Sequence, residues 1–292
     1  MTLNELVNTC AAQLHAAGVS FGHGTLNAHD EAAWLVLWRL GLPLDSEIDE
    51  QPIAPEALAQ VQALIAERIR SRKPAAYLTH EAWLQGVPCY VDERAIVPRS
   101  LIAEVLADGT IDAWLSEHTT EVLDLCTGNG SLAVLAAMAW PEVRVTGADL
   151  SRDALAVARI NVDRHGLQDR IRLVESDGLS ALNPTTFGPF DLILCNPPYV
   201  CQASMDALPQ EYRAEPELAL AGGADGMDFV RQLFQDAPHR MSEDAVLVLE
   251  IGNEAEHFIA AFPALEVAWL DTSAGDDQVL LVTRESLLNL TA

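Results

Sequence analysis

Glu121-Val-Leu-Asp-Leu125 runs directly into Cys126-Thr127-Gly128-Asn129-Gly130-Ser131, and an apolar segment from Leu132 to Trp140 follows. A short apolar run, a glycine-rich turn and a longer apolar run are typical of a buried strand that passes through a loop into a helix. Gly128 and Gly130 allow a tight turn and a close approach of the backbone to a ligand, while the free N–H groups of the following helix favour an anionic group. The segment predicts an α/β fold with a cofactor loop.

The loop by itself is compatible with more than one cofactor. With Ala133, three residues past Gly130, it fits G-x-G-x-x-A, a weak pattern that dinucleotide-binding proteins share. The next predicted strand, Val143 to Asp149, ends in an acid 19 residues after Gly130, where nucleoside-binding α/β proteins hold a ribose hydroxyl pair. The alternative for Asp149 is an ordinary acid at a helix N-terminus.

Asn196-Pro197-Pro198-Tyr199 directly follows a further apolar run, Phe190 to Cys195. This run predicts a buried parallel strand, and ligands of open α/β sheets bind beyond the carboxyl ends of such strands. Two prolines fix the backbone and remove two N–H donors, which leaves carbonyl acceptors beside the Asn196 amide. Such a loop suits a planar NH₂ group with an aromatic ring against its plane. An ordinary turn is the alternative, because Asn-Pro often marks one.

Taken together, the glycine loop, Asp149 and Asn-Pro-Pro-Tyr resemble the class I S-adenosylmethionine-dependent methyltransferases that modify amide or amino nitrogen. Two further segments, Ile96-Val-Pro98-Arg99-Ser100 and Glu215-Pro216-Glu217-Leu218-Ala219-Leu220, narrow the resemblance to the protein glutamine N(5)-methyltransferases. The resemblance covers nearly the whole chain. It implies an α/β, Rossmann-like domain with a seven-stranded sheet, S-adenosyl-L-methionine as cofactor, and methylation of a glutamine side-chain amide.

This family has two main bacterial branches. One methylates the Gln of the Gly-Gly-Gln loop in peptide-chain release factors and typically carries Pro-Arg-Pro-Asp-Thr-Glu, where this chain has Pro98-Arg99-Ser100-Leu101-Ile102-Ala103-Glu104. Cys126 also stands where release-factor enzymes usually have Gly. Both departures, and the stretch from Ala207 to Asp228, favour the branch that methylates a Gln of large-subunit ribosomal protein L-three. The alternatives are the release-factor enzyme and a non-catalytic ribosome-assembly factor.

The resemblance implies roles for individual residues. Asn196 and the Pro197 carbonyl would hold the two N–H bonds of the substrate amide, and Asp177 matches the position that the family places against adenine, a surface acid being the alternative. The predicted catalytic residues are Asn196, Pro197 and Tyr199, and the predicted substrate-binding residues are Asn196, Pro197, Pro198 and Tyr199. The predicted cofactor-binding residues are Asp124, Cys126, Thr127, Gly128, Asn129, Gly130, Asp149, Asp177, Gly178 and Asn196.

The composition limits the classes of partner. The formal net charge is −26, from 43 acidic residues against 17 Lys and Arg. This balance repels nucleic-acid phosphates and would steer a basic ribosomal protein, although charge can also serve solubility alone. It weakens the competing interpretation as an N(6)-adenine DNA methyltransferase, which shares an Asn/Asp-Pro-Pro-Tyr motif, and no direct duplex DNA binding is expected.

Other features concern location and metals. The apolar runs are too short to span a bilayer and no secretory segment starts the chain, so we expect a cytoplasmic protein without membrane association. The five cysteines form no C-x-x-C pair, which fits reduced thiols. The eight histidines lack metal-ligand spacing, so no metal is predicted.

The apolar periodicity divides the chain into three parts. Helical patterns predict a helical N-terminal substrate-recognition domain at residues 1–75, and β-like runs from Tyr77 to Val97 predict a β-hairpin linker at residues 76–100. Residues 101–292 are the predicted cofactor-binding catalytic domain. Its seven strands are expected near residues 121–125, 143–149, 171–175, 190–195, 245–251, 265–270 and 278–283.

Two features lie outside the predicted site. Trp34 and Trp38 are four residues apart on one predicted helix, a spacing that indicates core packing or a face that docks substrate protein. The loop at residues 201–223 is long for a compact domain, as functional lids are.

Overall fold

The computed structural model describes residues 1–290. The chain begins with four helices: α1 (Leu3–Ala16), α2 (Ala28–Leu40), α3 (Pro55–Ser71) and the short α4 (Ala75–Thr79). The side chains of Thr2 and Asn27 cap the first two, and Pro55 occupies the first position of the third, where its missing N–H is not needed. The apolar faces of these helices pack into a core of their own.

A two-stranded antiparallel hairpin follows, formed by β1 (Ala82–Leu84) and β2 (Val87–Cys89). Its turn residues, Gln85 and Gly86, both have positive φ, which matches the twist of the two strands. The expectation of β structure from Tyr77 onward is wrong at both ends. Residues 75–79 are helical, because Pro74 precedes two helix-favouring alanines, and residues 95–97 form no strand. The domain boundaries at residues 75 and 100 stay predictions.

The rest of the described chain is a sheet of seven strands with helices on both faces. The strands are β3 (Glu121–Leu125), β4 (Arg144–Asp149), β5 (Ile171–Glu175), β6 (Phe190–Cys195), β7 (Met241–Glu250), β8 (Ala268–Thr272) and β9 (Gly275–Thr283). The helices are α5 (Ile102–Ala107), α6 (Ser131–Ala139), α7 (Arg152–Arg164), α8 (Pro184–Phe187), α9 (Gln202–Ala207), α10 (Asp228–Asp236), α11 (Ala255–Ala261) and α12 (Arg284–Leu290). The seven predicted strands are confirmed, although β7 starts four residues earlier, β8 three residues later and β9 three residues earlier than expected.

The strand order β5-β4-β3-β6-β7-β9-β8 positions the site. The first five strands are parallel, and β9 lies antiparallel to both β7 and β8. Leu125 at the end of β3 pairs with Ala148 on one side and Cys195 on the other. The loops that follow β3, β4 and β6 therefore leave the sheet side by side, at the edge where the strand order reverses and ligands bind in such folds.

Apolar residues cover both faces of the sheet. One cluster packs α5 and α6 onto it through Ile102 and Val134, and the other packs α10 and α11 through Phe234 and Phe258. Trp34 and Trp38 are only half-buried, so the expectation of a core position holds in part. Among residues 1–290, no helix combines the length and apolar character that a membrane span requires.

Asn161 of α7 fastens the segment after the hairpin to the glycine loop. Its side chain is fully buried and donates to the carbonyl oxygens of Tyr90 (2.9 Å) and Asn129 (2.8 Å). Its amide oxygen accepts from the Tyr90 N–H at 2.7 Å. One carboxamide thus satisfies three backbone groups from two distant segments.

Replacement of this carboxamide has a predictable cost. Asn161→Ala leaves three backbone groups without partners, so we expect the free energy of unfolding to fall by about 3 kcal/mol. Urea denaturation followed by circular dichroism measures this loss. Asn8→Ala is the control, because Asn8 is exposed and bonds only to Asn4. Equal losses in the two variants would show that Asn161 does not fasten the segment.

Candidate functional site

The glycine loop between β3 and α6 turns through three left-handed residues. Cys126, Gly128 and Gly130 have φ values of 61°, 54° and 78°. Glycine adopts this conformation freely, whereas Cys126 is strained by about 1–2 kcal/mol. A Cβ at Gly130 would lie 3.0 Å from Ala158 Cβ, so its absence lets α6 and α7 approach. At Gly128 a Cβ would meet only the Cys126 carbonyl, at 4.0 Å, and the backbone there is open to a ligand.

Asp149 at the end of β4 is tied to this loop. Its Oδ2 accepts from the Gly128 N–H at 2.9 Å, and its Oδ1 accepts from the Ser151 N–H at 2.8 Å. Burial raises the pKa of Asp149, against the opposing effect of these backbone donors. Each oxygen keeps a further lone pair, so the carboxylate can still accept from a ligand hydroxyl.

A first cleft opens beside the glycine loop and Asp149. Six of the ten predicted cofactor residues line it: Cys126, Gly128, Asp149, Asp177, Gly178 and Asn196. The other four, Asp124, Thr127, Asn129 and Gly130, are buried and are not among the lining residues. Asp124 accepts from Thr127 Oγ1 and the Ala133 N–H, and Asn129 accepts from the Ser131 N–H, so these side chains shape the loop from behind.

Apolar residues that the sequence did not indicate complete this cleft. Ile96, Leu150, Leu218 and Phe229 also line it. Leu150 and Leu218 are 48% and 54% exposed, so their surfaces are available to a flat apolar ligand group. An apolar residue directly after the strand-terminal Asp149 was the one local signal for this wall. Leu218 belongs to the segment 215–220 that carried the family resemblance, but no local pattern placed either Leu218 or Phe229 at this cleft.

Asn196 lies where the first cleft meets a second one. The four residues after β6 alternate between the clefts: Pro198 lines the first, Pro197 and Tyr199 line the second, and Asn196 lines both. The Asn196 side chain forms no hydrogen bond with any other residue in the range 1–290. Its carboxamide is therefore available to a ligand that reaches from one cleft to the other.

Three glycines pack closely against this loop. A Cβ at Gly226 would lie 2.1 Å from the Tyr199 carbonyl oxygen, and a Cβ at Gly222 would lie 2.8 Å from the Pro198 carbonyl oxygen. A Cβ at Gly252 would lie 2.5 Å from Cε2 of the Tyr199 ring. Because real Cβ atoms do not approach so closely, only glycine permits this packing. We call Gly222, Gly226 and Gly252 the glycine cradle.

The Tyr199 hydroxyl has a fixed direction. It donates to Glu250 Oε1 at 3.1 Å, while Glu250 Oε2 accepts from the Ser100 hydroxyl at 2.6 Å and from the Leu101 N–H at 2.9 Å. Burial raises the pKa of Glu250, although the three donors oppose it. Ser100, one of the residues by which this chain departs from the release-factor pattern, is thus part of the support of Tyr199.

Arg99 joins two sequence segments that are 116 residues apart. Its guanidinium donates to both carboxylate oxygens of Glu215, at 2.7 and 2.8 Å. Burial alone would raise the pKa of Glu215, but Arg99 and the nearby His23 lower it to about 2. The bidentate pair holds the segment at residues 215–220 against residues 97–99. Arg99 also lines the second cleft, together with Phe21 and Tyr212.

The Cys126 thiol beside the site is not activated. The hydrogen bond with Cys195 and burial raise the pKa of the Cys126 thiol well above its ordinary value, which disfavours the thiolate. Further along, Cys201, Glu254 and His257 bring potential metal ligands within 4.8 Å of one another. Glu254 there already accepts from the Cys201 N–H and contacts His257 Nδ1 at 2.6 Å. The absence of a metal stays a prediction.

The glycine cradle can be tested by stability. Gly226→Ala places a methyl group on the Tyr199 carbonyl, whereas Gly166→Ala has the same kind of positive φ and no atom within 4 Å. We expect a loss of about 1 kcal/mol in the free energy of unfolding for Gly166→Ala and of about 3 kcal/mol or more for Gly226→Ala. Chemical denaturation compares them. A matching loss in both would mean that the loop can move away at no cost.

Asp124 makes stability depend on pH. Burial raises its pKa to about 7, while the hydrogen bonds from Thr127 and Ala133 oppose this shift. The ordinary pKa of an aspartate in an unfolded chain is about 3.9. Between these values the folded state keeps a proton that the unfolded state has lost. The stabilising contribution is therefore present below pH 4 and is lost as the pH rises toward 7.

Asp124→Asn removes this titration. We expect the free energy of unfolding of the wild type to fall relative to that of the variant by up to about 1.4 kcal/mol per pH unit between pH 4.5 and 7, and then to level off. Denaturation curves of both proteins over this range provide the measurement. Parallel pH profiles would contradict the raised pKa.

Comparison with known proteins places this geometry in a family. Residues 110–244 match the family model "Methyltransferase small domain". The hMettl16 catalytic domain, solved in complex with a MAT2A 3'UTR hairpin, superposes with a TM-score of 0.51 at 11% identity, over 82% of this chain and 84% of that chain, which shows the fold alone.

Curated relatives are far more similar in sequence. The ribosomal protein uL3 glutamine methyltransferase of Bordetella pertussis is 52% identical over 98% of this chain and 96% of its own length. The protein of the same name from Burkholderia pseudomallei is 48% identical, over 98% and 95%. At this identity and coverage, the chain belongs to the family of ribosomal protein uL3 glutamine methyltransferases.

Proposed function

We propose that this protein transfers a methyl group from S-adenosyl-L-methionine to the side-chain amide nitrogen N5 of a glutamine in ribosomal protein uL3. The observation that carries the proposal is the position of Asn196. Its carboxamide has no partner among the described residues and lies at the junction of a cleft suited to a nucleoside cofactor and a second cleft suited to a protein side chain.

The first cleft fits the cofactor. Asp149 has lone pairs free for the ribose hydroxyls, and Gly128 lets the amino-acid part approach the backbone. Leu150, Ile96 and Asp177 all line this cleft, so the two apolar side chains would pack against the adenine and Asp177 would accept from its exocyclic amine. The cofactor would supply an electrophilic methyl group on sulfur.

The loop after β6 supplies orientation. An amide nitrogen is a poor nucleophile, because its lone pair is delocalised into the carbonyl, so alignment with the methyl group must contribute much of the rate. The Asn196 side-chain oxygen and the Pro197 carbonyl would each accept one N–H of the substrate amide, and the glycine cradle packs closely against Pro198 and Tyr199, the next two residues of the loop. The nitrogen would lose one proton as its new bond to the methyl carbon replaces the bond between that carbon and the cofactor sulfur. We assign no general base, and water can take the proton.

The choice of uL3 follows the names of the curated relatives and agrees with the charge. A protein of net charge −26 attracts basic ribosomal proteins over long range. Ser20 and Phe21 line the second cleft, which supports residues 1–75 as the substrate-recognition domain. Since ribosomal proteins are made and assembled in the cytoplasm, we propose that the protein acts there, without duplex DNA as substrate.

Asn196→Ala tests the proposal. We expect methyl transfer to fall by a factor of about 100 or more, because the amide loses one of its two fixed acceptors, while cofactor affinity changes by less than about tenfold. The assay is mass spectrometry of uL3 from cells lacking the enzyme, where one methylation adds about 14 Da, together with calorimetry of S-adenosylmethionine binding. Asn8→Ala, an exposed control, should behave as the wild type.

The same assay contains the competing outcomes. A gain of mass on release factors but not on uL3 would assign the protein to the other branch. A lack of methylation on every protein, despite tight cofactor binding, would favour the non-catalytic assembly factor.

A further inference from the structure

An apolar groove lies apart from both clefts, between the end of α2 and the hairpin. Trp38, Leu42, Leu44, Asp45, Glu81 and Trp83 line it, and we call it the tryptophan groove. Its volume is about 890 Å³, and none of its lining residues lines the first or the second cleft. It is large enough for several residues of another polypeptide.

Several large apolar side chains of the groove are exposed to solvent. In β1, Ala82 and Leu84 face inward, so the alternation of the strand turns Trp83 outward, where it is 44% exposed. Leu42 and Leu44 are 36% and 38% exposed in the loop after α2. A single exposed apolar residue is ordinary, but a cluster of two leucines and two tryptophans is typical of a protein contact.

Acidic side chains surround the apolar floor. Asp45 and Glu81 are among the lining residues, whereas no Lys or Arg is. Glu47, Asp49 and Glu50 follow Asp45 in the same loop. Within the described part of the chain, the carboxylates of Asp45, Glu47 and Glu81 form no salt bridge and accept no hydrogen bond. Unpaired carboxylates around an apolar floor complement a segment that combines basic and apolar residues.

The groove also spans two parts of the molecule. Trp38 and Leu42 belong to the helical N-terminal part, whereas Trp83 belongs to the hairpin. The hairpin leads into residues 90–97, where Asn161 fastens Tyr90 and Ile96 lines both clefts. A segment bound in the groove would therefore be held at a fixed position relative to the site.

We propose that the tryptophan groove docks a basic segment of the protein substrate, with an apolar side chain between Trp38 and Trp83, away from the modified glutamine. This inference rests on the proposed function for the identity of the substrate. Docking in the groove makes the affinity of the enzyme for full-length uL3 depend on a surface that takes no part in methyl transfer.

The test compares two exposed tryptophans. Trp83→Ala removes one wall of the groove, and Trp114→Ala removes a side chain that is 40% exposed elsewhere. We expect Trp83→Ala to raise the KM for uL3 by about tenfold with little change in kcat, and Trp114→Ala to leave both unchanged. The double variant Asp45→Asn/Glu81→Gln should also raise the KM and weaken its dependence on salt. An unchanged KM, or a fall in kcat alone, would overturn the proposal.

Two further measurements separate the proposal from its alternatives. Direct binding of uL3 to the wild type and to Trp83→Ala, without turnover, tests the groove even if uL3 is not methylated: weaker binding by the variant supports it, and equal or absent binding overturns it. Sedimentation tests a second copy of the chain as occupant. A wild-type dimer that Trp83→Ala dissociates would assign the groove to self-association and overturn docking of the substrate.

Discussion

The backbone of Pro198 and Tyr199 lies so close to Gly222 and Gly226, and the Tyr199 ring so close to Gly252, that no side chain would fit at these three positions. A Cβ at Gly226 would come within 2.1 Å of the Tyr199 carbonyl oxygen, and one at Gly252 within 2.5 Å of the Tyr199 ring. This close packing fixes the loop that carries Asn196, and the two prolines stiffen it from within. The position of Asn196 depends on this packing, and Asn196 is the one residue of Asn196–Tyr199 that lines both clefts.

Ion pairs and hydrogen bonds then fasten distant segments to this loop. Glu250 accepts hydrogen bonds from the hydroxyls of Tyr199 and Ser100, and Glu215 accepts two from the Arg99 guanidinium. Glu211 accepts from the Ser20 N–H and pairs with Arg68 and Arg72, which connects the segment after α9 to the N-terminal helices. The predicted lid at residues 201–223 is therefore anchored at several points, and it contains α9 and two short 3₁₀ turns rather than free loop.

These anchors suit a reaction that needs orientation more than acid–base chemistry. Among residues 1–290 the Asn196 carboxamide has no hydrogen-bond partner, and the raised pKa of Cys126 keeps its thiol protonated. Strain at Cys126, where the left-handed backbone favours glycine, lies in the loop that faces the first cleft. Rigid placement of Asn196 and Pro197 agrees with a reaction in which the substrate nitrogen must be aligned rather than activated by a base.

Local sequence patterns determined most of the strands and the main loops of the candidate site. The seven strands, the glycine loop, Asp149 and the rigid loop at Asn196 follow from apolar runs and from the conformational limits of glycine and proline, which act over a few residues. The sequence did not reveal that Tyr77 lies in a helix, that Leu218 and Phe229 line the first cleft, or that Arg99 pairs with Glu215. Only the tertiary structure decided these contacts, and with them the second cleft and the tryptophan groove. Their members come from segments many residues apart, and the packing of strands and helices, which no local pattern encodes, brings them together.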